Sequence, residues 1–167
     1  MPKYTIAVLV RNEFGVLNRV TSMFRRRQFN ISSLTVSETE SDKYSRITVT
    51  YNGDPDFHHQ IINQLYKLAD VCKVKELDGD GAISCELMLI KVKNEHATRD
   101  DIRTAAEAFK AEIVDYTLDS IIMRITGDSR RIDDFIALMN SFTILEICRT
   151  GVVSLERGKN TIITEEE

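Results

Sequence analysis

The stretch Asp78-Gly79-Asp80-Gly81-Ala82 divides this sequence into two halves that carry the same order of apolar periodicities. It holds two closely spaced glycines and no apolar repeat, so it reads as a linker or tight connection. In the first half, Tyr4 to Val10 is apolar and β-branched, the pattern of a buried strand. Val16, Leu17, Val20, Met23 and Phe24 then recur at helical spacing, with Arg19 and Arg25 to Arg27 mostly on other faces. Ile31 to Glu38 alternates, Ser41-Asp42-Lys43 is a hairpin turn, and Tyr44 to Tyr51 is a further strand. Asp54-Pro55 opens a helix with an apolar face of Phe57, Ile61, Ile62, Leu65 and Leu68, proline suiting the first helical position. Val71 to Leu77 closes the half as a strand.

The second half repeats the plan. Glu86 to Val92 is a strand, and Thr98-Arg99-Asp100-Asp101 resembles a capping box before a helix carrying Ile102, Ala105, Ala106 and Phe109. Glu112 to Thr117 and Ser120 to Thr126 form a strand pair around Leu118-Asp119. Asp128-Ser129 caps a helix with Ile132, Phe135, Ile136 and Met139 on one face, and Ile144 to Leu155 is a closing strand region, bent at Gly151. The polar tail to Glu165-Glu166-Glu167 is expected to fray. Each half therefore reads βαββαβ. The predicted class is α+β: two ferredoxin-like domains, 1–78 and 79–167, each an antiparallel sheet with two helices on one face. The opposite sheet face needs a cover, and a neighbouring chain is the expected source.

A length of 167 residues suits two small domains, and 43% hydrophobic residues with only two prolines is a folded composition. No apolar run reaches the ~18 residues of a membrane helix, and Met1 leads into a strand without a signal-peptide pattern. A cytoplasmic protein is expected. Cys72, Cys85 and Cys148 are odd in number and widely spaced, which predicts reduced, partly buried thiols. The formal charge of −4 divides unevenly, net +2 over residues 1–78 and net −6 over 79–167. This disfavours nucleic acid as a partner. RNA-recognition motifs share the element order, but Tyr44 to Tyr51 lacks their base-stacking aromatic pattern.

The sequence carries no GxSxG, HExxH, CxxC, P-loop or GxGxxG motif. His58 and His59 are adjacent on a helix, where side chains diverge by about 100°, so a surface role is expected rather than metal ligation. His96 lies in a polar loop. Asp78-Gly79-Asp80-Gly81 with Glu86 lacks the spacing of a calcium loop. Asp100-Asp101 and Asp133-Asp134 read as charges in first helical turns. Arg25-Arg26-Arg27 suits a helix C-terminus, or an anionic face of a protein partner. No catalytic residue and no metal site is predicted.

One constellation carries a mechanism. Asn12-Glu13-Phe14-Gly15-Val16-Leu17 joins the first strand to the first helix, whose N-terminal N–H groups suit a carboxylate. Gly15 leaves the backbone approachable, and Asn12 can cap the helix or touch a ligand. Asn30-Ile31 offers a side-chain amide and an apolar wall. Together these are what a small amino acid requires, although Asn12 and Gly15 equally suit a tight strand-to-helix turn.

The segments Asn12 to Val20 and Phe24 to Val36 closely resemble the small regulatory subunit of acetolactate synthase, whose N-terminal half is an ACT domain. The resemblance extends through Glu86 to Val92 and Glu146 to Gly158, nearly the whole chain. It implies an ACT-type first domain, a homodimer formed edge to edge through ACT domains, and L-valine or a related branched-chain amino acid at the interface. Asn12, Gly15, Val16 and Leu17 of one chain would face Asn30 and Ile31 of its partner. The backbone of Gly15 to Leu17 would hold the carboxylate, and Val16, Leu17 and Ile31 would form the apolar wall. Phe14 stands where that family often has a small or polar residue. The implied role is non-catalytic: activation and valine feedback inhibition of a separate catalytic subunit, which carries thiamine diphosphate, magnesium and FAD, with no cofactor in this chain. The alternatives are a stand-alone amino-acid-sensing module, or a small enzyme or metal-binding protein on the same scaffold.

Overall fold

The computed structural model describes residues 2–77 and 79–163. The chain forms two compact units, residues 1–83 with 152–167, and residues 84–151. Asp78 of the expected linker and the acidic end of the expected fraying tail lie outside the described residues.

The first unit is built from β1 (Lys3–Arg11), α1 (Val16–Arg26), β2 (Ile31–Glu38), β3 (Tyr44–Asn52), α2 (Pro55–Leu65) and β4 (Val71–Glu76). Its sheet runs β2-β3-β1-β4 with every neighbour antiparallel. One sheet face packs Ile6, Val8, Val10, Ile47 and Val49 against the helices. Helix α1 contributes Val16, Val20, Met23 and Phe24, the i, i+4, i+7, i+8 positions of one face. Helix α2 begins where Pro55 removes a donor that would have had no partner, and the Asp54 side chain accepts from the Phe57 N–H at 2.7 Å. Phe24 and Tyr51 are fully buried in this core, each adding roughly 2–3 kcal/mol of apolar burial.

The second unit holds β5 (Ala82–Lys93, which begins at the unit boundary), α3 (Arg99–Ala108), β6 (Glu112–Tyr116), β7 (Ser120–Gly127), α4 (Ser129–Met139) and β8 (Ile144–Arg149), with strand order β6-β7-β5-β8. Met88, Ile90, Val92, Ile121, Met123 and Ile125 meet Ile102, Ile132, Phe135 and Met139 of the helices. Both halves thus have the expected βαββαβ order, with antiparallel sheets.

Several expectations are corrected. The closing strand region expected over 144–155 turns at Gly151 as expected, but the turn is a full break into two strands: β8 ends at Arg149, Gly151 takes a left-handed φ of 82°, and β9 (Val153–Glu156) follows. Residues from Val152 onward belong to the first unit, and its own chain supplies part of the cover on the second face of its sheet, over Ala7 and Leu9. Ile162 packs with Ala7, Leu9 and Leu77, the tail being anchored rather than frayed at this point. Lys75 forms an ion pair with Glu156, Arg46 donates to the Ser154 carbonyl, and the Arg157 N–H donates to the Gly81 carbonyl at 2.9 Å. The partition at 78/79 therefore differs from the compact units, because apolar residues past Gly151 find their burial on β1 and beside Leu77.

The three cysteines are exposed, not partly buried. Thr98 makes no side-chain cap, its backbone already being helical (φ −114°, ψ −5°), whereas Asp128 caps α4 by accepting from the Arg131 N–H at 2.8 Å. Asp133 and Asp134 lie beyond the first turn of α4. His58 is buried, not on the surface: its Nδ1 meets the Tyr51 hydroxyl at 2.7 Å and its ring stacks on Tyr4 with centroids 4.0 Å apart. Nε2 lies 3.1 Å from a Glu76 carboxylate oxygen but out of line for a hydrogen bond. His59 stays exposed, as expected.

Candidate functional site

Asn12 follows β1 directly and ties the turn before α1 to the β2–β3 hairpin. Its N–H donates to Lys43 O at 2.8 Å, its side-chain Nδ2 donates to Asp42 O at 3.0 Å, and its Oδ1 accepts from Ser45 Oγ at 3.0 Å. Both ends of the amide hold the turn, leaving one N–H and one lone pair for a ligand.

Gly15 occupies the N-cap position of α1 at φ 82°, ψ 0°, a left-handed conformation that costs glycine nothing. It offers no side-chain cap, and no acidic residue lies in the first turn. The Val16 N–H reaches Glu13 O only at 3.4 Å, and the Leu17 and Asn18 N–H groups have no acceptor among the described residues. Asp54 and Asp128 occupy the corresponding position on α2 and α4. Helix α1 therefore presents unfilled donors and an uncompensated partial positive charge. A substituent at Gly15 would meet Arg19 Nη1 at 3.3 Å, and that arginine is held by Asp70 at 2.6 Å.

The side chains divide sharply. Val16 is 3% exposed, inside the core, so the expectation that it lines the apolar wall is corrected. Leu17 is 41% exposed and Phe14 fully so. Asn30 is exposed and its amide makes no hydrogen bond among the described residues, while Ile31 is half-buried against the core.

Within one chain these residues do not converge. Arg11 pairs with Tyr44 on β3, whereas Ile31 pairs with Tyr51. The seven steps between those β3 residues span about 23 Å. Asn12 to Leu17 sit at one end of the sheet, and Asn30-Ile31 at the other. Strand β2 is an edge of the sheet. If two copies pair antiparallel along β2, the ends exchange, and Asn30-Ile31 of each chain comes to the end of the other sheet that carries the partner's α1 N-terminus. The spacing in sequence could not reveal this, because strand order sets it. Nor could it reveal the contacts from Asn12 to Asp42 and Ser45, which lie about thirty residues on.

Among the described residues no group of three His, Cys, Asp or Glu side chains is placed to hold a metal, and no helix is long and apolar enough to cross a membrane.

Comparison with known proteins covers both halves. Residues 6–73 match the model of the AHAS small subunit-like ACT domain, and residues 85–158 match that of the small subunit of acetolactate synthase. The chain is 46% identical over 156 residues to the probable acetolactate synthase small subunit of Archaeoglobus fulgidus, covering 93% of this chain and 98% of that one. It is 41% identical over 159 residues to the acetolactate synthase small subunit of Haemophilus influenzae, covering 95% and 98%. The crystal structure of the acetolactate synthase small subunit from Thermotoga maritima superposes with a TM-score of 0.86 at 34% identity, over 96% of this chain and 100% of that one.

Proposed function

The chain belongs to the acetolactate synthase small-subunit family, and from that premise we propose that it activates a separate catalytic subunit and transmits feedback inhibition by valine. It works as a homodimer joined through its ACT-type units, with catalysis and the cofactors (thiamine diphosphate, magnesium and FAD) on the partner. It needs no metal or cofactor of its own and acts in the cytoplasm, without nucleic acid or membrane.

The observation that supports the sensor most is the uncapped α1 N-terminus and the unbonded Asn30 amide at opposite ends of a sheet whose β2 edge is open. A valine carboxylate takes the N–H groups of Val16 to Asn18. The partner's Asn30 accepts from the ammonium, and Leu17 with the partner's Ile31 contacts the isopropyl group. Because the two halves meet only across the dimer, valine stabilises the dimer by mass action. Binding of the catalytic subunit and of valine are linked by equal factors.

The test is calorimetric titration of the full chain with L-valine and, as control, L-alanine, followed by reconstitution with the catalytic subunit. Selective binding near one site per chain is expected, lost in both Gly15→Asp and Asn30→Ala. Asn30 is exposed, so its truncation leaves the fold intact and keeps the site assignment testable if Gly15→Asp misfolds. Wild-type valine inhibition in Asn30→Ala complexes would overturn the site. Failure of the wild-type chain to raise catalytic-subunit activity would overturn the regulatory reading.

A further inference from the structure

We propose that the groove between α1 and the end of α2 is the docking surface for an acidic segment of the catalytic subunit. The inference rests on the regulatory reading above and adds to it the surface that grips the partner. The groove has a volume of about 570 Å³. Its floor is apolar, formed by Met23 and Leu68, and its rim carries Arg19, Arg26, Arg27 and Lys67. No acidic side chain lines it.

The charges are unequally compensated. Arg19 is held by Asp70 at 2.6 Å, and Arg27 donates to the neutral Gln64 amide at 2.8 Å. Arg26 and Lys67 are exposed and form no ion pair among the described residues. Two free cations and a third bound only to a neutral oxygen thus face one cleft, in a chain whose overall charge is −4.

Geometry selects the occupant. Arg19, Met23 and Arg26 follow one stripe of α1, and the seven steps from Arg19 to Arg26 span about 10 Å. A single small anion reaches one end of such a rim and leaves Met23 and Leu68 unused. A polypeptide segment with carboxylates a turn or two apart and an apolar residue between them meets both the rim and the floor. The acidic balance of the rest of the chain weighs against nucleic acid. Charge pairs at such a rim act on association rate and salt dependence.

The experiment measures binding of the full chain to the catalytic subunit of the same organism by fluorescence titration, from 50 to 500 mM KCl. Arg26→Glu combined with Lys67→Glu is expected to weaken binding at least tenfold at low salt and to flatten the salt dependence. Arg26→Lys, which keeps the charge, binds within twofold of wild type. Arg103→Glu with Arg130→Glu, an equal charge change on the second unit, leaves affinity within twofold. Unaltered affinity and salt slope in the groove pair would overturn the inference while leaving the regulatory reading in place. Absence of wild-type binding would instead remove the reading on which it rests. Calorimetry with inorganic tripolyphosphate distinguishes the remaining occupant: micromolar binding lost in the groove pair, with subunit binding unaltered, would reassign the groove to a small polyanion and overturn the proposal.

Discussion

Arg149, at the end of β8, closes a two-pronged ion pair on Glu86 near the start of β5, with Nε at 3.0 Å from one carboxylate oxygen and Nη2 at 2.9 Å from the other. The Glu86 side chain is 3% exposed, and the remaining guanidinium nitrogen Nη1 reaches Asp133 at 2.8 Å. Burial lowers the Arg149 pKa, but hydrogen bonds to Asp133 and Glu86 outweigh it and raise the group above its ordinary value. The cation is therefore permanent. Arg149→Met would leave a buried carboxylate uncompensated and is expected to cost about 3 kcal/mol. Urea unfolding followed by circular dichroism measures this, and Arg149→Lys, which keeps a charge but loses the fork, should fall between the two.

The His58 ring is expected to matter to folding rather than to regulation. His58→Leu removes the nitrogen that the Tyr51 hydroxyl meets and the ring that stacks on Tyr4, at a cost of about 2 kcal/mol. A double-mutant cycle with Tyr51→Phe should show the two losses to be less than additive. Valine affinity at the proposed site should stay within twofold of wild type.

Acid should loosen the C-terminal segment before the rest of the first unit. A hydrogen bond from Lys75 holds the Glu156 carboxyl below its ordinary value, helped by the charge of Lys75, a bond from Asn160 and the charge of Lys73, and opposed by burial. A carboxyl depressed in the folded state stabilises it fully above the unfolded pKa and loses that contribution as pH falls through the folded one. Amide exchange at Ile162 and Ile163 should therefore accelerate, relative to Val8 and Val49, below the ordinary glutamate range. In Glu156→Gln the extra acid sensitivity should vanish.

Phe14 is fully exposed in a single chain, so Phe14→Ser should change stability by no more than about 0.5 kcal/mol. Its position beside Gly15 puts it at the rim of the proposed pocket. The same substitution should alter the ratio of valine to leucine to isoleucine affinity by threefold or more, read by calorimetry.

Local patterns carried most of the fold. The spacing of Val16, Val20, Met23 and Phe24 specifies α1, and Asp54-Pro55 specifies the start of α2, because the physics of a helix face or a cap acts within a few residues. Thr98-Arg99-Asp100-Asp101 had the letters of a cap without the backbone conformation that lets Thr98 act as one. The burial of His58 depends on Tyr4 and Tyr51, which no periodicity near His58 reports. The family resemblance brought Asn12 and Gly15 together with Asn30 and Ile31, yet the separation of the two groups within a chain follows from strand order alone. The basic groove was half legible: Arg25-Arg26-Arg27 stood out, but Lys67 and Gln64 join it only through helix packing.

Residues Ala7, Leu9 and Leu77 gain their cover from Ile162, after an intervening unit of 68 residues. During synthesis the chain emerges in sequence order, so the second unit is complete while the first still has a bare apolar strip along β1. The first unit thus finishes folding only after the second has been made. A stop codon or proteolytic cut just after Gly151 would spare the second core but unfinish the first, making the segment around Ile162 a checkpoint on whether the first unit is ever released intact.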